Sequence, residues 1–372
     1  MANDKLQRAK DQKNDEFYTQ YFDIEAELNN YLEYNPDVFR DKVVLLPCDD
    51  PEWSNFTKYF AQNFVRFGLK KLISTSYAIE SKKYKVGFQL SLFETEDPQY
   101  DPDKSKTNGK IFILEKKDDC SKIDINNLEW HYLDGDGDFR SDEVKKLRDE
   151  ADVIVTNPPF TLFKEFIAWI LEANKKFITI GNLNAIKYSE IFPLLMQDKI
   201  WMGASCFTGG AAYFMGSPDL YDPEKMSNPK HAYIKNGVLY WRVNGVRWFT
   251  NIDHGRRHEK IELMTAADNL RYNRKLLNKL ETEYGVSTYP KLDTYDALEV
   301  PYVDGIPSDY KGIMCVPISF MDKYCPEQFE IVGEFNHGSD NIFDLAKPVI
   351  NGVELYPRIA IKFRGEWLWL QL

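Results

Sequence analysis

ADVIVTNPPF, residues 151–160, is a short apolar run that stops at two consecutive prolines. Uninterrupted Val-Ile-Val is the pattern of a strand buried on both faces of a parallel sheet. Proline has no N–H for a ladder and a fixed φ, so Pro158-Pro159 must end that strand. Working outward, the helical spacing of residues 161–174 leads to a second strand, KFITIGN (176–182). Upstream, residues 142–150 read as a helix, and VVLLP (43–47) and LKKLIST (69–75) as strands. Between those two strands, Phe56, Tyr59, Phe60 and Phe64 share one face of a helix over 54–67. Strand, helix, strand in repetition is the βαβ pattern of a parallel sheet. Further helices are expected over 23–34, ended by Asn35-Pro36, and over 188–198. VLYWRVNGVRWFT (238–250) reads as an antiparallel hairpin around Asn244-Gly245. Residues 76–119 read as an inserted loop region with two strand-like runs, KVGFQLSLF and KIFILEK, and beyond 251 the irregular pattern reads as a second unit.

In an open parallel sheet, ligands bind at the carboxyl ends of the strands. Asn157 and the carbonyls beside it are held there as rigid acceptors, which suits an exocyclic amine. The Asn157 side-chain oxygen and the Pro158 carbonyl can each accept one amine hydrogen. That draws the nitrogen out of conjugation and frees its lone pair for an electrophile, while Phe160 can stack on a base. Without the apolar strand before it, the same tetrapeptide would be only a strand-ending turn.

The chain has 372 residues, 43% of them hydrophobic and 15% aromatic, enough for packed cores in two or three structural units. No run of uncharged apolar residues is long enough for a membrane span, and the charged first residues lack the apolar core of a secretory signal. Five scattered cysteines without a CxxC pair speak against a disulfide framework or a zinc module and fit a reducing cytoplasm. DGDGD (134–138) lacks the spacing of a calcium-binding loop, so no metal is expected. The net charge is −11, yet residues 224–280 carry 12 Lys/Arg against 5 Asp/Glu, while residues from 281 onward carry 7 against 15. That basic segment is either a solvated helix face or a nucleic-acid contact.

The tetrapeptide at 157–160 resembles the [DNS]PP[YFW] signature of S-adenosylmethionine-dependent adenine-N6 DNA methyltransferases. DEFYT (15–19) is similar to the segment that meets the methionine part of the cofactor, and Gly137-Asp138-Phe139 to the GDF segment near its adenine. CDDPEWSNF (48–56), GLKKLISTSY (68–77) and VPISFMDKYCPEQFEIVG (316–333) narrow the resemblance to the EcoRI methylase family. It implies a class I methyltransferase fold: a Rossmann-like α/β catalytic domain (41–250) with a mostly parallel sheet ending in an antiparallel hairpin. Residues 1–40 would form a helical segment carrying the cofactor-contacting DEFYT, and 251–372 an α+β target-recognition region.

The activity implied is methyl transfer from S-adenosyl-L-methionine to N6 of a flipped-out adenine in double-stranded DNA, in a restriction-modification or phage setting. Asn157, Pro158, Pro159 and Phe160 would form the catalytic set. Phe17, Tyr18, Thr19, Cys48, Asp49, Asp50, Ser54, Asn55, Thr75, Asp138 and Phe139 would hold the cofactor, and Arg256, Arg257 and Lys260 would contact DNA. Cys48-Asp49-Asp50-Pro51 stands where such folds carry a GxG loop, so Asp49 and Asp50 either meet the methionyl ammonium or serve as turn and helix cap. No acid ends the second strand to hold the ribose; Ser74-Thr75-Ser76 stands there instead. TGGAAYF (208–214) reads as a surface loop. A monomer is expected, with any cognate endonuclease a functional rather than a physical partner. RNA adenine, another NPPF-type acceptor, or a non-catalytic DNA-binding role are the alternatives.

Overall fold

Four apolar runs become the parallel strands at the centre of a sheet: β1 (Val43–Leu46), β2 (Lys71–Thr75), β5 (Val153–Thr156) and β6 (Lys176–Asn182). The computed structural model describes residues 19–51, 54–78, 100–116, 129–207, 211–216, 232–235, 238–336 and 342–364, with backbone alone at 211–216 and 238. It divides into two compact units, residues 1–182 with 205–252, and residues 183–204 with 253–372. One division falls between 252 and 253, and 183–204 groups with the second unit.

In the first unit, β3 (Lys110–Glu115) and β4 (Trp130–Tyr132) extend the sheet antiparallel beyond β2. The run KIFILEK is thus an integral strand rather than part of an insertion; KVGFQLSLF lies outside the described residues. On the other side of the centre, Val246–Thr250 (β10) pairs antiparallel with β6, so the strands of the first unit run in the order β4-β3-β2-β1-β5-β6-β10.

The expected hairpin is corrected here. β7 (Ala211–Gly216) and β8 (Ala232–Lys235) flank β9 (Val238–Asn244) in a separate three-stranded sheet, while β10 leaves for β6. A two-residue type I′ turn needs positive φ at both positions. Only Gly245, at φ 72°, has it, and it swings the chain from one sheet to the other. All five residues of β10 are buried, so this run belongs on a covered sheet, and β6 offers it an edge. The 208–214 loop is corrected likewise, since Ala211–Phe214 belong to β7.

Strand alternation sends side chains to two layers. Val44, Leu46, Val153, Val155, Ile178, Ile180 and Trp248 join one cluster with Ile24, Leu28 and Tyr31 of α1 (Tyr21–Tyr34) and Phe56, Tyr59 and Phe60 of α2 (Asn55–Gln62). Phe249 faces the other way, its ring 5.0 Å from Phe163 at the head of α4 (Phe163–Glu172). α3 (Asp142–Glu150) begins at Ser141, whose Oγ accepts from Val144 N–H. Buried Glu27 accepts from Tyr31 Oη at 2.8 Å and from the Ser205 N–H and hydroxyl at 2.6 Å each.

The second unit carries α5 (Ala266–Tyr272), α6 (Arg274–Lys279) and a sheet of four strands, β11 (Ala297–Glu299), β12 (Ile313–Pro317), β13 (Phe329–Phe335) and β14 (Arg358–Phe363). Their order is β11-β12-β14-β13, with only β11 and β12 parallel. Fully buried Glu299 accepts from Arg358 Nη2 at 3.0 Å and Nε at 3.2 Å, so this charge is paired across the sheet. Among the described residues, no helix is long and apolar enough to cross a membrane.

Phe60 is fully buried, 5.5 Å from the Phe39 ring and 6.0 Å from that of Phe67. Phe60→Ala should destabilise the first unit by about 3–5 kcal/mol, read as a lower urea midpoint in far-UV circular dichroism.

Candidate active site

β5 ends at Thr156, and the residues after it cannot continue the strand. Pro159 sits at φ −55°, ψ 122°, and Phe160 opens a short 3-10 turn (Phe160–Leu162) that feeds directly into α4. The Pro159 carbonyl accepts from Leu162 N–H at 2.9 Å, whereas no backbone N–H among the described residues takes the Pro158 carbonyl. Asn157 is half-buried with its Oδ1 withdrawn from solvent, and half-buried Phe160 packs on the edge of the core. The tetrapeptide thus stands at the carboxyl end of a central strand.

The neighbouring end of β1 is organised by one carboxylate. Asp49, 5% exposed, accepts from Ser54 Oγ through Oδ1 and from Thr156 Oγ1 through Oδ2, each at 2.6 Å. Its N–H donates to the Thr75 carbonyl at 2.9 Å, and its own carbonyl accepts from Ser74 Oγ at 2.6 Å. Ser54 is the N-cap of α2, its Oγ accepting from Phe56 N–H at 3.0 Å and Thr57 N–H at 3.5 Å. Of the two roles open to Asp49, the structure therefore displays a framework one, and the cap is Ser54. Burial pushes the Asp49 carboxyl up to about 7; the Ser54 and Thr156 hydroxyls oppose the rise, and the charge of Asp50 adds to it.

Thr19, Ser54, Asn55, Asp49 and Thr75 converge at this corner. Asn55 Nδ2 donates to the Thr19 carbonyl at 2.7 Å. Thr19 is 3% exposed, and its Oγ1 has no hydrogen-bond partner among the described residues. Cys48 and Asp50 flank Asp49 on the same turn and are partly exposed. Phe17 and Tyr18 lie outside the described residues. The three hydroxyls at the end of β2 serve the framework: Ser74 holds Asp49, Thr75 donates to the Pro47 carbonyl at 3.2 Å, and Ser76 accepts from Lys110 N–H at 3.1 Å.

Asp138 and Phe139 sit on the neighbouring loop. Gly137 takes φ 80° there, and a Cβ on it would come within 2.1 Å of the Ser76 carbonyl, so only glycine lets the loop close on β2. Asp138 grips Arg140 at 2.9 and 2.6 Å. The Phe139 ring is buried 5.2 Å from Phe166 and 5.5 Å from Trp169, a core position. Thr156 escapes a sequence reading; its signal is a hydroxyl at the C-terminal end of an otherwise apolar strand.

In the second unit, Arg256 and Lys260 are exposed. Arg257 is spent inside the protein: its side chain is 13% exposed, 2.7 Å from Asp198, and its guanidinium lies 4.1 Å from the Trp201 ring centre. His258 bridges Glu327 at 2.8 Å and Asp253 at 2.9 Å. Gln328 clasps both main-chain groups of Ile261 at 2.7 Å. The 316–333 segment thus holds the loop that presents Arg256 and Lys260.

The family described as adenine-specific methyltransferase EcoRI matches residues 5–361. The chain is 39% identical over 361 residues to the type II methyltransferase M.EcoRI of Escherichia coli, covering 97% of both chains. The chain belongs to the EcoRI methylase family. Two mycoplasma type II methyltransferases are also similar: M.MpnI of Mycoplasma pneumoniae is 31% identical and M.MgeORF184P of Mycoplasma genitalium 32%, each over 87% of this chain and 84% of its own. No solved structure matches. As a member of the EcoRI methylase family the chain is an adenine-specific methyltransferase, an enzyme that needs a methyl donor. Among its described residues no three His, Cys, Asp or Glu side chains converge as metal ligands.

A carboxyl whose native pKa is raised binds its proton more tightly folded than unfolded. Its stabilising contribution is therefore full below the ordinary value of 3.8 and is lost as pH rises through about 7. The melting temperature of the wild type should fall between pH 6 and 8 relative to that of Asp49→Asn, and parallel melting curves for the two proteins across that range would refute the linkage.

Proposed function

We propose that this enzyme transfers the methyl group of S-adenosylmethionine to N6 of an adenine within a defined duplex DNA site. The reading assigns a class I methyltransferase fold to the catalytic part (41–250) and target recognition to residues 251–372. The observation that carries it is the Asn157-Pro158-Pro159-Phe160 turn, standing at the end of β5 against the hydroxyl-lined end of β1.

The residues at that corner fit such a cofactor. The buried Thr19 hydroxyl, which no described residue pairs, can meet a polar group of the methionyl part. Both Asp49 oxygens accept from hydroxyls, so Asp50, with Cys48, is the better partner for an ammonium on this turn. Phe17 and Tyr18 keep their cofactor role through the family resemblance. Asp138 would stand at the adenine side, with Phe139 behind it as packing. When bound, the cofactor supplies an electrophilic methyl on a sulfonium.

Asn157 Oδ1 and the Pro158 carbonyl accept the two amine hydrogens, and Pro159 holds the turn rigid. The N6 lone pair is thereby aimed along the line of attack, and Phe160 stacks on the base. Direct displacement at carbon requires no nucleophilic side chain. The proton leaves N6 after transfer, and the rate comes from positioning and from acceptors fixed in advance. The adenine must first leave the duplex stack, at a cost of a few kcal/mol.

Arg256 and Lys260 are the exposed cations proposed for DNA, and Arg257 acts beneath them by holding their loop. A DNA substrate goes with a cytoplasmic location. The enzyme is read as a monomer, with any cognate endonuclease a separate protein.

Asn157→Ala should lower methyl transfer by about 100-fold or more while S-adenosylmethionine still binds, measured with labelled cofactor and duplex DNA, RNA and protein as acceptors. A normal rate in that variant, or a preference for RNA, would sink the assignment. Arg256→Ala should weaken DNA binding similarly across sequences and reduce the slope of log affinity against log salt by about 1, measured by fluorescence anisotropy.

A further inference from the structure

We propose that Asp49 is a positioning residue for methyl transfer, a buried carboxylate that holds the cofactor-side turn and the amine-side turn in register through Ser54 and Thr156. This role rests on the proposed function of the Asn157 corner as the methyl-transfer site.

An ionised carboxylate only accepts, so each hydroxyl that touches it must point its proton inward. With its proton on Asp49, Ser54 Oγ turns its lone pairs to the N–H groups of Phe56 and Thr57 and caps α2. Asn55, the next residue, holds the Thr19 carbonyl, so this arm reaches the segment assigned to the cofactor. On the other arm, Thr156 donates to Asp49 with its side chain and accepts from Thr179 Oγ1 with its carbonyl at 3.0 Å. The last residue of β5 is thus tied towards both β1 and β6, and Asn157 comes directly after it.

In-line displacement makes this join matter, because donor and acceptor approach from opposite turns and must meet within a few tenths of an ångström. A fold of this class with a glycine-rich loop can set the cofactor by close backbone approach. Here that loop is replaced by Cys48-Asp49-Asp50-Pro51, and side-chain hydrogen bonds take over the spacing. The arrangement is costly for stability. β2 meets Asp49 with Ser74 and Thr75, β5 with Thr156 and α2 with Ser54, none of them charged; the charge acting on it is that of Asp50 on its own turn. A buried, unneutralised carboxylate retained beside a reacting centre is the mark of a group kept for function.

Asp49→Asn changes neither size nor shape but obliges one of the two hydroxyls to accept instead of donate. At pH 8, where Asp49 is ionised, it should lower kcat for duplex DNA by about 100-fold at saturating substrates. S-adenosylmethionine affinity by isothermal titration calorimetry should stay within about threefold, and the melting temperature at pH 8 should equal or exceed that of the wild type. Thr156→Val should slow transfer in the same way and Thr156→Ser should restore it. The double variant Asp49→Asn/Thr156→Val should be no slower than Asp49→Asn alone.

A wild-type kcat in Asp49→Asn overturns the proposal. So does a loss confined to cofactor affinity, which would make Asp49 a direct cofactor contact, or a lowered melting temperature at pH 8, which would make it merely structural. If Asp49→Asn does not fold, the Thr156 pair carries the test, and a wild-type rate in Thr156→Val overturns it. Asn157→Ala in the same assay separates the two levels. A normal rate there removes the site itself, whereas a dead Asn157→Ala beside a normal Asp49→Asn removes only the positioning role.

Discussion

Two hydroxyl hydrogen bonds to one buried carboxylate join the ends of the two strands on which the site is built. Asp49 lies between Ser54 and Thr156 at 2.6 Å from each, and its main chain is held by Ser74 and Thr75. Because the strands around it are buried on both faces, no water stands ready to replace a missing partner, so the network is satisfied from within. The spacing between the two turns results from that requirement. Serine, threonine and aspartate are short side chains, and short side chains transmit position with little slack.

The same economy runs through the rest of the corner. β2 ends in three hydroxyls, and each is committed to the framework instead of standing open to a ligand. Gly137 lets the neighbouring loop close on the Ser76 carbonyl, and the Phe139 ring anchors that loop against Phe166 and Trp169. Beside this framework stand the half-buried Asn157 turn, the buried Thr19 hydroxyl and the partly exposed ends of the 48–51 turn. A direct displacement asks for little more than such a set held still.

The second unit repeats the logic with charge. Arg257 is sequestered between Asp198 and Trp201, His258 between Asp253 and Glu327, and Gln328 clasps Ile261, so that Arg256 and Lys260 project from a braced loop. Adjacent arginines thus have opposite fates, one exposed and one used as mortar. Charge counting along a sequence cannot separate them, because the difference is made by Asp198, 59 positions away.

Much of the fold is dictated by local sequence. Runs such as 43–46 and 153–156 have no polar face and must be central strands, and the two prolines after Asn157 must end one of them and leave Asn157 at its carboxyl end. The NPPF turn was legible for that reason: its chemistry lies in four consecutive residues. Partners were not legible. Asn244-Gly245 satisfies a hairpin turn locally, yet β9 and β10 pair elsewhere, since sheet edges and burial outweigh a turn preference. KIFILEK could not declare itself part of the central sheet without β2 and β4 beside it. Asp49 and Thr156, 107 residues apart, meet only because β1 and β5 are neighbours in the sheet. The sequence alone determined which segments are buried and where a strand must stop, as those depend on each residue's own chemistry. The tertiary structure decided which side chains meet, because contact between distant residues is a property of how the strands are ordered.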